Sequence, residues 1–409
     1  MSLNGQKASG YSSLFTISFT ALLAGQIVSI LGDRLGNIAL IEMLSIETGR
    51  FAAPGSTFEL SKLAAAMTLP AIILGPLAGA YIDRVDRKQA LIITDVIRGA
   101  AVVAIPFLRP ALPLWTVYVV VAMLYVANLF FLPARCAIVA EIVSHKSLIK
   151  ANSILSLGAT VATILGFGVG GILASRAGWR TALYIDSVTY FVSAGALTLI
   201  RTSVMPPESQ PTAQVPYMRI IRDALGEIRR TAALQAGVLA PSLLAVAGAA
   251  VYVLGVAIVE GMSPEGTMHV GFLVGLAGAG MAAGCYFTGK TLHNTGRARL
   301  AVTGTALAIL SLIVIGVVDR LIPIGIAVTA AGFVAGPVLV SSETSIQEET
   351  PHRRQATVFA VRDMLMKIAI VSAAGLAAAA GTLLGLQSAL IVILGSCLAL
   401  SLPLLVRYK

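Results

Sequence analysis

Apolar residues run along this chain in stretches too long for a water-soluble fold. Runs fall at about 15–44, 60–82, 89–108, 113–139, 150–174 and 180–201, and after a polar stretch at about 233–260, 267–290, 298–318, 322–345, 357–384 and 386–406. A helix needs about 20 apolar residues to cross the hydrocarbon core of a bilayer. The runs meet that length and lack the strict alternation of half-buried strands. The pattern predicts an all-α membrane protein of twelve transmembrane helices in two pseudo-symmetric six-helix bundles. Residues 1–201 would form the first bundle, 202–232 a cytoplasmic linker, and 233–409 the second.

Composition supports this and charge sets the orientation. Of 409 residues, 57% are hydrophobic and 12% charged, about half the charge of a soluble domain. The net charge of +10 does not point to nucleic acid, because the basic residues sit in short gaps between apolar runs. With the N-terminus inside, 18 of the 29 Lys and Arg fall in inner segments and 6 in outer ones. That bias places both termini in the cytoplasm. Trp115 and Trp179 then fall at the outer interface, where amphipathic rings settle. The first run lacks a small-residue cleavage site after it, so it is expected to stay as a span. A multi-pass protein of a bacterial inner membrane follows, expected to be monomeric and to have the lipid bilayer as its surroundings.

The linker opens with Pro206, Pro207, Pro211 and Pro216. Met218, Ile221, Leu225 and Ile228 then recur at helical spacing, with Arg219, Arg222, Arg229 and Arg230 between them. This predicts a basic amphipathic helix on the inner membrane surface, with a protein-binding helix as the alternative.

The two halves read as repeats. Glu141 and His145 recur as Glu348 and His352, an offset of 207, and Gly79-Ala80-Tyr81 recurs as Gly284-Cys285-Tyr286, an offset of 205. Repeats of this kind place substrate sites where they meet.

Between the second and third runs stands GPLAGAYIDRVDRKQAL. Gly75 and Gly79, four apart, free one helix face for close packing, and Asp83 is followed by Arg84, Arg87 and Lys88 in a tight turn. A carboxylate there can cap a helix or pair with a cation, a latch that holds one conformation. Gly79, Asp83, Arg84, Arg87 and Lys88 resemble the G-x-x-x-D-R-x-x-R-R loop of the major facilitator superfamily. Gly166, Gly170 and Gly171 in GFGVGG resemble its antiporter motif, with Phe167 in place of proline. The segments LGDRLGNIAL, FLPARCAIVAEIV and YIDSVTYFVSAGAL are similar to its macrolide and siderophore exporter branch. The resemblance implies alternating access and export of an amphipathic small molecule, with protons as the coupling ion. The sequence departs from it in the fourth run, where VVAMLYVANLFF carries no arginine, and in the second-half loop, which has no counterpart of Asp83.

Charges inside the apolar runs each cost roughly 2.5–3.5 kcal/mol to insert. Asp33-Arg34 lies deep in the first run with Asn37 on the Asp33 face. Adjacent helical residues point about 100° apart, so each of the pair needs its own partner. A structural ion pair is one reading; Asp33 as acceptor of a proton or of a cationic part of the substrate is the other. Asp186 and Glu343 are further candidates, and Tyr125 and Asn128 supply polar contacts. Asp363 and Lys367 are spaced to pair, Arg362 beside them could meet Asp83, and Asp95 with Arg98 reads as a structural pair.

His145, His269, His293 and His352 all fall in loops or at the ends of runs, which argues against a histidine-lined metal site. No phosphate loop occurs, so ATP is not the direct energy source. No catalytic residue, metal or cofactor is expected. Two other readings stay open: a ferroportin-like metal exporter or lysophospholipid transporter, which would need a second hard ligand near Asp33, and a non-transporting scaffold or sensor.

Overall fold

A computed structural model describes residues 15–51, 55–82, 85–143, 148–201, 217–291, 297–350 and 352–407. Those residues are helical apart from short connections, with no strand among them. In chain order the helices are α1 (Ile17–Glu47), α2 (Thr57–Ile82), α3 (Arg87–Leu108), α4 (Trp115–Ile142), α5 (Leu148–Ala177), α6 (Trp179–Thr198), α7 (Tyr217–Ile228) and α8 (Ala232–Ala250). There follow α9 (Val256–Met262), α10 (Gly266–Thr291), α11 (Arg297–Leu312), α12 (Val314–Val317), α13 (Leu321–Glu349), α14 (His352–Leu384) and α15 (Leu386–Arg407). A π-helical turn, Val251–Gly255, joins α8 to α9, so the seventh apolar run is one continuous segment.

Among the described residues, ten helices are long and apolar enough to cross a membrane. Helices α1 and α6 are long but fall outside those ten. The reason is visible in their residues: α1 carries Asp33, Arg34, Glu42 and Glu47, and α6 carries Arg180, Asp186 and several hydroxyl residues. These two polar helices also carry most of the candidate site.

The helix ends follow local chemistry. The Asp86 side chain accepts from the Gln89 amide and caps α3, and Thr231 accepts from the Leu234 amide and caps α8. Gly178 and Gly385, at φ 83° and 80°, make the sharp turns into α6 and α15, where a left-handed backbone favours glycine.

The chain divides into two compact units, Met1–Leu40 with Ile73–Pro211 and Ile41–Ile72 with Thr212–Lys409. The second unit thus takes in the end of α1 and the first part of α2, a division the sequence boundary near 201 does not mark. Local bonds account for it: Ser45 Oγ donates to Glu260 Oε2 at 2.8 Å, and Ser61 Oγ donates to the Ala374 carbonyl at 2.7 Å.

In the first unit, α3 packs along α4 and α6. Its buried stripe runs through Leu91, Asp95, Arg98, Val102 and Ile105. A cluster around Phe19, Leu22, Leu91, Phe131, Ile138 and Leu155 closes one end.

In the second unit, α13 packs along α10 and α11. Glycines set the approach of α10 to α13. A Cβ on Gly284 would overlap the Phe333 carbonyl, one on Gly332 the Ala277 carbonyl, and one on Gly336 would lie 2.6 Å from the Cys285 amide. No larger residue fits there without moving the helices apart.

Helix α7 corrects the expectation that its apolar face lies on the membrane. Ala224 and Ile228 are buried in a cluster with Leu234, Val238, Ile346, Val358 and Val361, and Ile221 and Leu225 pack against it. The apolar stripe is spent on α8, α13 and α14, leaving Arg219, Arg222, Arg229 and Arg230 exposed.

Candidate functional site

The first unit encloses a cavity of about 140 Å³. Helix α1 lines it with Asp33, Arg34, Gly36, Asn37 and Leu40, α3 with Val102 and Ile105, α4 with Val121, Leu124, Tyr125 and Asn128, and α6 with Leu183, Asp186 and Tyr190. Six of the seven substrate or proton candidates named from the sequence therefore share one space. The seventh, Glu343, is an exposed residue of α13 in the second unit.

Asp33 and Arg34 do not serve each other as sole partners, as their angular offset requires. The Tyr190 hydroxyl donates to Asp33 Oδ1. The Arg34 guanidinium lies 5.7 Å from the Phe167 ring centroid, and its Nε has no hydrogen-bond partner. Asn37 lies beside the Tyr125 hydroxyl.

Arg98 plays a larger part than its spacing with Asp95 implies. The two form a buried ion pair, 2% and 0% exposed. Arg98 also donates to Asn128 Oδ1 at 3.3 Å and stacks over Phe131 and Tyr190, 4.1 and 4.7 Å from their ring centroids. It thus ties together a cavity-lining amide and the tyrosine that holds Asp33. Tyr190 and Arg98 went unidentified as site residues in the sequence. One signal for Arg98 was available: Asp95, Arg98, Val102 and Ile105 share helical spacing, and the last two line the cavity.

Asp186 reaches α1 because that helix has no side chains in its way. A Cβ on Gly36 would overlap the Asp186 carboxylate, and one on Gly32 would collide with Thr189 and lie 2.7 Å from Asp186 Oδ1. Asp186 is 3% exposed, and its Oδ1 has no hydrogen-bond partner.

The antiporter-like glycines bring α5 against the same helix. A Cβ on Gly166 would sit 2.7 Å from the Leu31 carbonyl and 2.8 Å from Arg34 Cβ, and one on Gly170 would sit 2.9 Å from Leu35 Cα. Gly171 is buried beside them. These glycines fix how α1 presents Arg34.

Of the loop residues, Arg87 pairs with Glu141 at the end of α4, and Lys88 donates to the Thr198 carbonyl at 2.8 Å. Asp83 and Arg84 lie outside the described residues, and Gly75 and Gly79 fall within α2. Arg362 donates to Ser342 Oγ at 3.2 Å and lies over Phe359, and Lys367 donates to Asp363 at 2.6 Å.

Comparison with known proteins places this architecture. The Major Facilitator Superfamily pattern matches residues 14–374. The chain belongs to the Major Facilitator Superfamily. It is similar to the MFS-type transporter YfiS of Bacillus subtilis, 26% identical over 273 residues, 66% of this chain and 63% of that protein. It is also similar to macrolide efflux protein A of Streptococcus pyogenes, 25% identical over 229 residues, 56% of this chain and 55% of that one. The matches thus span roughly half to two-thirds of these relatives' length. Among solved structures, the nucleoside transporter NupG superposes with a TM-score of 0.73 at 13% identity, covering 95% of this chain and 100% of that one. The likeness to NupG is one of fold. Both relatives are transporters by name, one of them an efflux protein, and this chain shares their family and has, among its described residues, ten helices long and apolar enough to cross a membrane.

Proposed function

We propose that this transporter exports an amphipathic small molecule from the cytoplasm by alternating access, driven by inward proton flow. The observation that carries the reading is the enclosed cavity in which Asp33 is held by Tyr190 beside Asp186. Charges so deep in helices are expensive, and in transporters they mark ion and substrate pathways. An efflux-type relative supports the outward direction. Counting α1 and α6 as spans gives twelve, in two six-helix bundles joined by the α7 segment. Both termini then lie in the cytoplasm and the protein in a bacterial inner membrane.

Asp33 is the proton acceptor in this reading, and Tyr125, Asn128 and Asn37 supply polar contacts. Gly75, Gly79, Asp83, Arg84, Arg87, Lys88 and Arg362 form the conformational latch. The second-half glycines support the role of the first pair, since Gly284, the counterpart of Gly79, lies where only a glycine fits against α13. Arg34 beside the same cavity and Arg98 behind it disfavour a divalent metal as cargo, because two guanidiniums repel it there.

Proteoliposomes test the proposal. An imposed proton gradient, acid inside, should drive uptake of a lipophilic cation or macrolide into inside-out vesicles, and cargo addition should move protons in the wild type. Asp33→Asn should abolish the proton movement. Coupled transport that survives intact in Asp33→Asn removes Asp33 from the mechanism.

A further inference from the structure

Helix α7 carries apolar residues on one side and arginines on the other. Ala224 and Ile228 are buried against α8, α13 and α14, with Ile221 and Leu225 packed beside them. At 100° per residue, Arg219, Arg222, Arg229 and Arg230 fall on the opposite side within an arc of about 100°. All four are exposed.

The partners of α7 set its depth. They include Leu234 and Val238, the third and seventh residues of the apolar segment Ala232–Met262. They also include Ile346, the last residue of Leu321–Ile346, and Val358 and Val361, the first and fourth of Val358–Leu384. At 1.5 Å per residue these positions lie within about 9 Å of a segment end. A helix lying beneath the segment ends would touch terminal residues alone. Helix α7 reaches Val238, so it lies alongside them, where hydrocarbon gives way to a headgroup layer about 5–7 Å thick. Its link to α8 is short, since Arg229, Arg230 and Thr231 alone separate Ile228 from Ala232.

The charge of the outward face is one-sided. Its four guanidiniums stand against two carboxylates: Asp223, exposed among them, and Glu227, which is buried and pairs with Arg230 at 3.2 Å. Even so, 62% of the Arg230 side chain is exposed. Two net positive charges remain. Gly226 lies among the arginines, one turn after Arg222 and one turn before Arg229 and Arg230. A Cβ on Gly226 would meet nothing within 4 Å, so the space above the backbone there is open. Guanidinium forks match the oxygens of a phosphate, and the gap at Gly226 gives one room between two forks. A protein partner matches less well, because interfaces centre on apolar side chains and none is exposed among the described residues of this face.

We infer that the outward face of α7 is a seat for an anionic phospholipid, its headgroup phosphate held over Gly226 between Arg222 and Arg229, with Arg219 and Arg230 flanking it. Basic residues immediately beside a span attract anionic lipid in this way. The choice of the inner leaflet rests on the orientation proposed above. The seat itself depends on neither export nor proton coupling.

The full chain, purified in a neutral detergent and offered equal amounts of phosphatidylglycerol and phosphatidylcholine, provides the test. Native mass spectrometry counts the lipids that stay bound. An arginine at the membrane surface is worth about a fivefold preference for anionic lipid, so the wild type should retain phosphatidylglycerol by about tenfold or more. Arg222→Gln/Arg229→Gln should lose most of that preference while leaving the Arg230–Glu227 pair in place. Gly226→Leu fills the gap at unchanged charge and should lower the preference about threefold or more. Arg176→Gln/Arg320→Gln removes as many exposed charges elsewhere and should keep it. A preference that survives in Arg222→Gln/Arg229→Gln overturns the site, and so does a wild type with no preference. Loss in that variant with none in Gly226→Leu means diffuse attraction and overturns the seat over Gly226. If the double variant does not fold, Gly226→Leu decides in the same terms. Displacement of bound phosphatidylglycerol by an equal concentration of glycerol 3-phosphate would make a soluble phosphate ester the ligand and overturn the lipid.

Discussion

The Tyr190 hydroxyl donates to Asp33 Oδ1 across the gap between α6 and α1. This bond joins two residues 157 positions apart and sets where the Asp33 carboxylate points. Arg98 stacks on the same tyrosine ring, so the donor is held from behind by a guanidinium that is itself fixed by Asp95.

Removing that donor should therefore impair coupling more than folding. Tyr190→Phe keeps the ring beneath Arg98 and deletes only the hydroxyl. A hydrogen bond to a charged group contributes about 1.5–3 kcal/mol, so cargo-driven proton flux in proteoliposomes should fall about ten- to hundredfold at unchanged protein yield. Wild-type flux in Tyr190→Phe would show that Asp33 needs no such positioning.

The approach of Asp186 to α1 makes a stability prediction. Gly36→Ala places a methyl group on the Asp186 carboxylate, whereas a Cβ on Gly195 of α6 meets nothing within 4 Å. Overpacking of this kind costs about 1–3 kcal/mol. The apparent Tm of Gly36→Ala should drop by several degrees and that of Gly195→Ala should stay near wild type. Equal melting of the two variants would mean that α1 and α6 are not packed this closely.

What the sequence disclosed and what it hid divide along physical lines. A charge in an apolar run announces itself through its insertion cost, which is why Asp33, Arg34 and Asp186 were legible. The helices were legible for the same reason, since their length and hydropathy are local properties. Tyr190 carries no such signal, because a tyrosine in a span is ordinary until its partner is known. Arg98 was hidden by Asp95, whose i,i+3 spacing made the pair look self-sufficient. The amphipathic α7 disclosed its apolar face but not what covers it: periodicity identifies a buried stripe, and a bilayer and a protein groove satisfy it equally. Glu42 and Glu260 stand near the ends of their apolar runs, where charge is cheap, and nothing local shows that 225 residues separate Glu42 from the threonine it meets.

The ion pair between Arg87 and Glu141 ties the start of α3 to the end of α4. Both side chains are mostly buried, at 22% and 13% exposure, so a lone partner is left with an unsatisfied charge. Arg87→Glu and Glu141→Arg should each reduce transport by about an order of magnitude or more. The double exchange should recover most of it, read as a coupling energy in a double-mutant cycle. Additive losses without recovery would show that Arg87 acts through something other than Glu141.

Thr267 of α10 stands between two buried carboxyl groups of the second unit, touching Glu42 Oε2 and, at 2.5 Å, Glu260 Oε1. Glu260 also accepts from Ser45 at 2.8 Å and has Arg50 at 3.5 Å. Arg50 is held there by a backbone with φ 58°, a conformation uncommon for a residue with a side chain, and donates at 2.6 Å to the Pro264 carbonyl. A hydroxyl has one hydrogen to donate, so both contacts are satisfied only when it donates to one carboxyl group and accepts from the other. Thr267→Val keeps the shape and removes both bonds, leaving two acids facing each other across a methyl group. The loss of a buried hydrogen-bonding partner costs about 1–3 kcal/mol per group left unsatisfied. Thr267→Val should therefore lower the apparent Tm by several degrees, Thr267→Ser by less, and Thr303→Val, at a half-buried position of α11 whose hydroxyl bonds only carbonyls of its own helix, by less than Thr267→Val. A valine variant as stable as the serine one would show that the two carboxyl groups do not depend on the bridge.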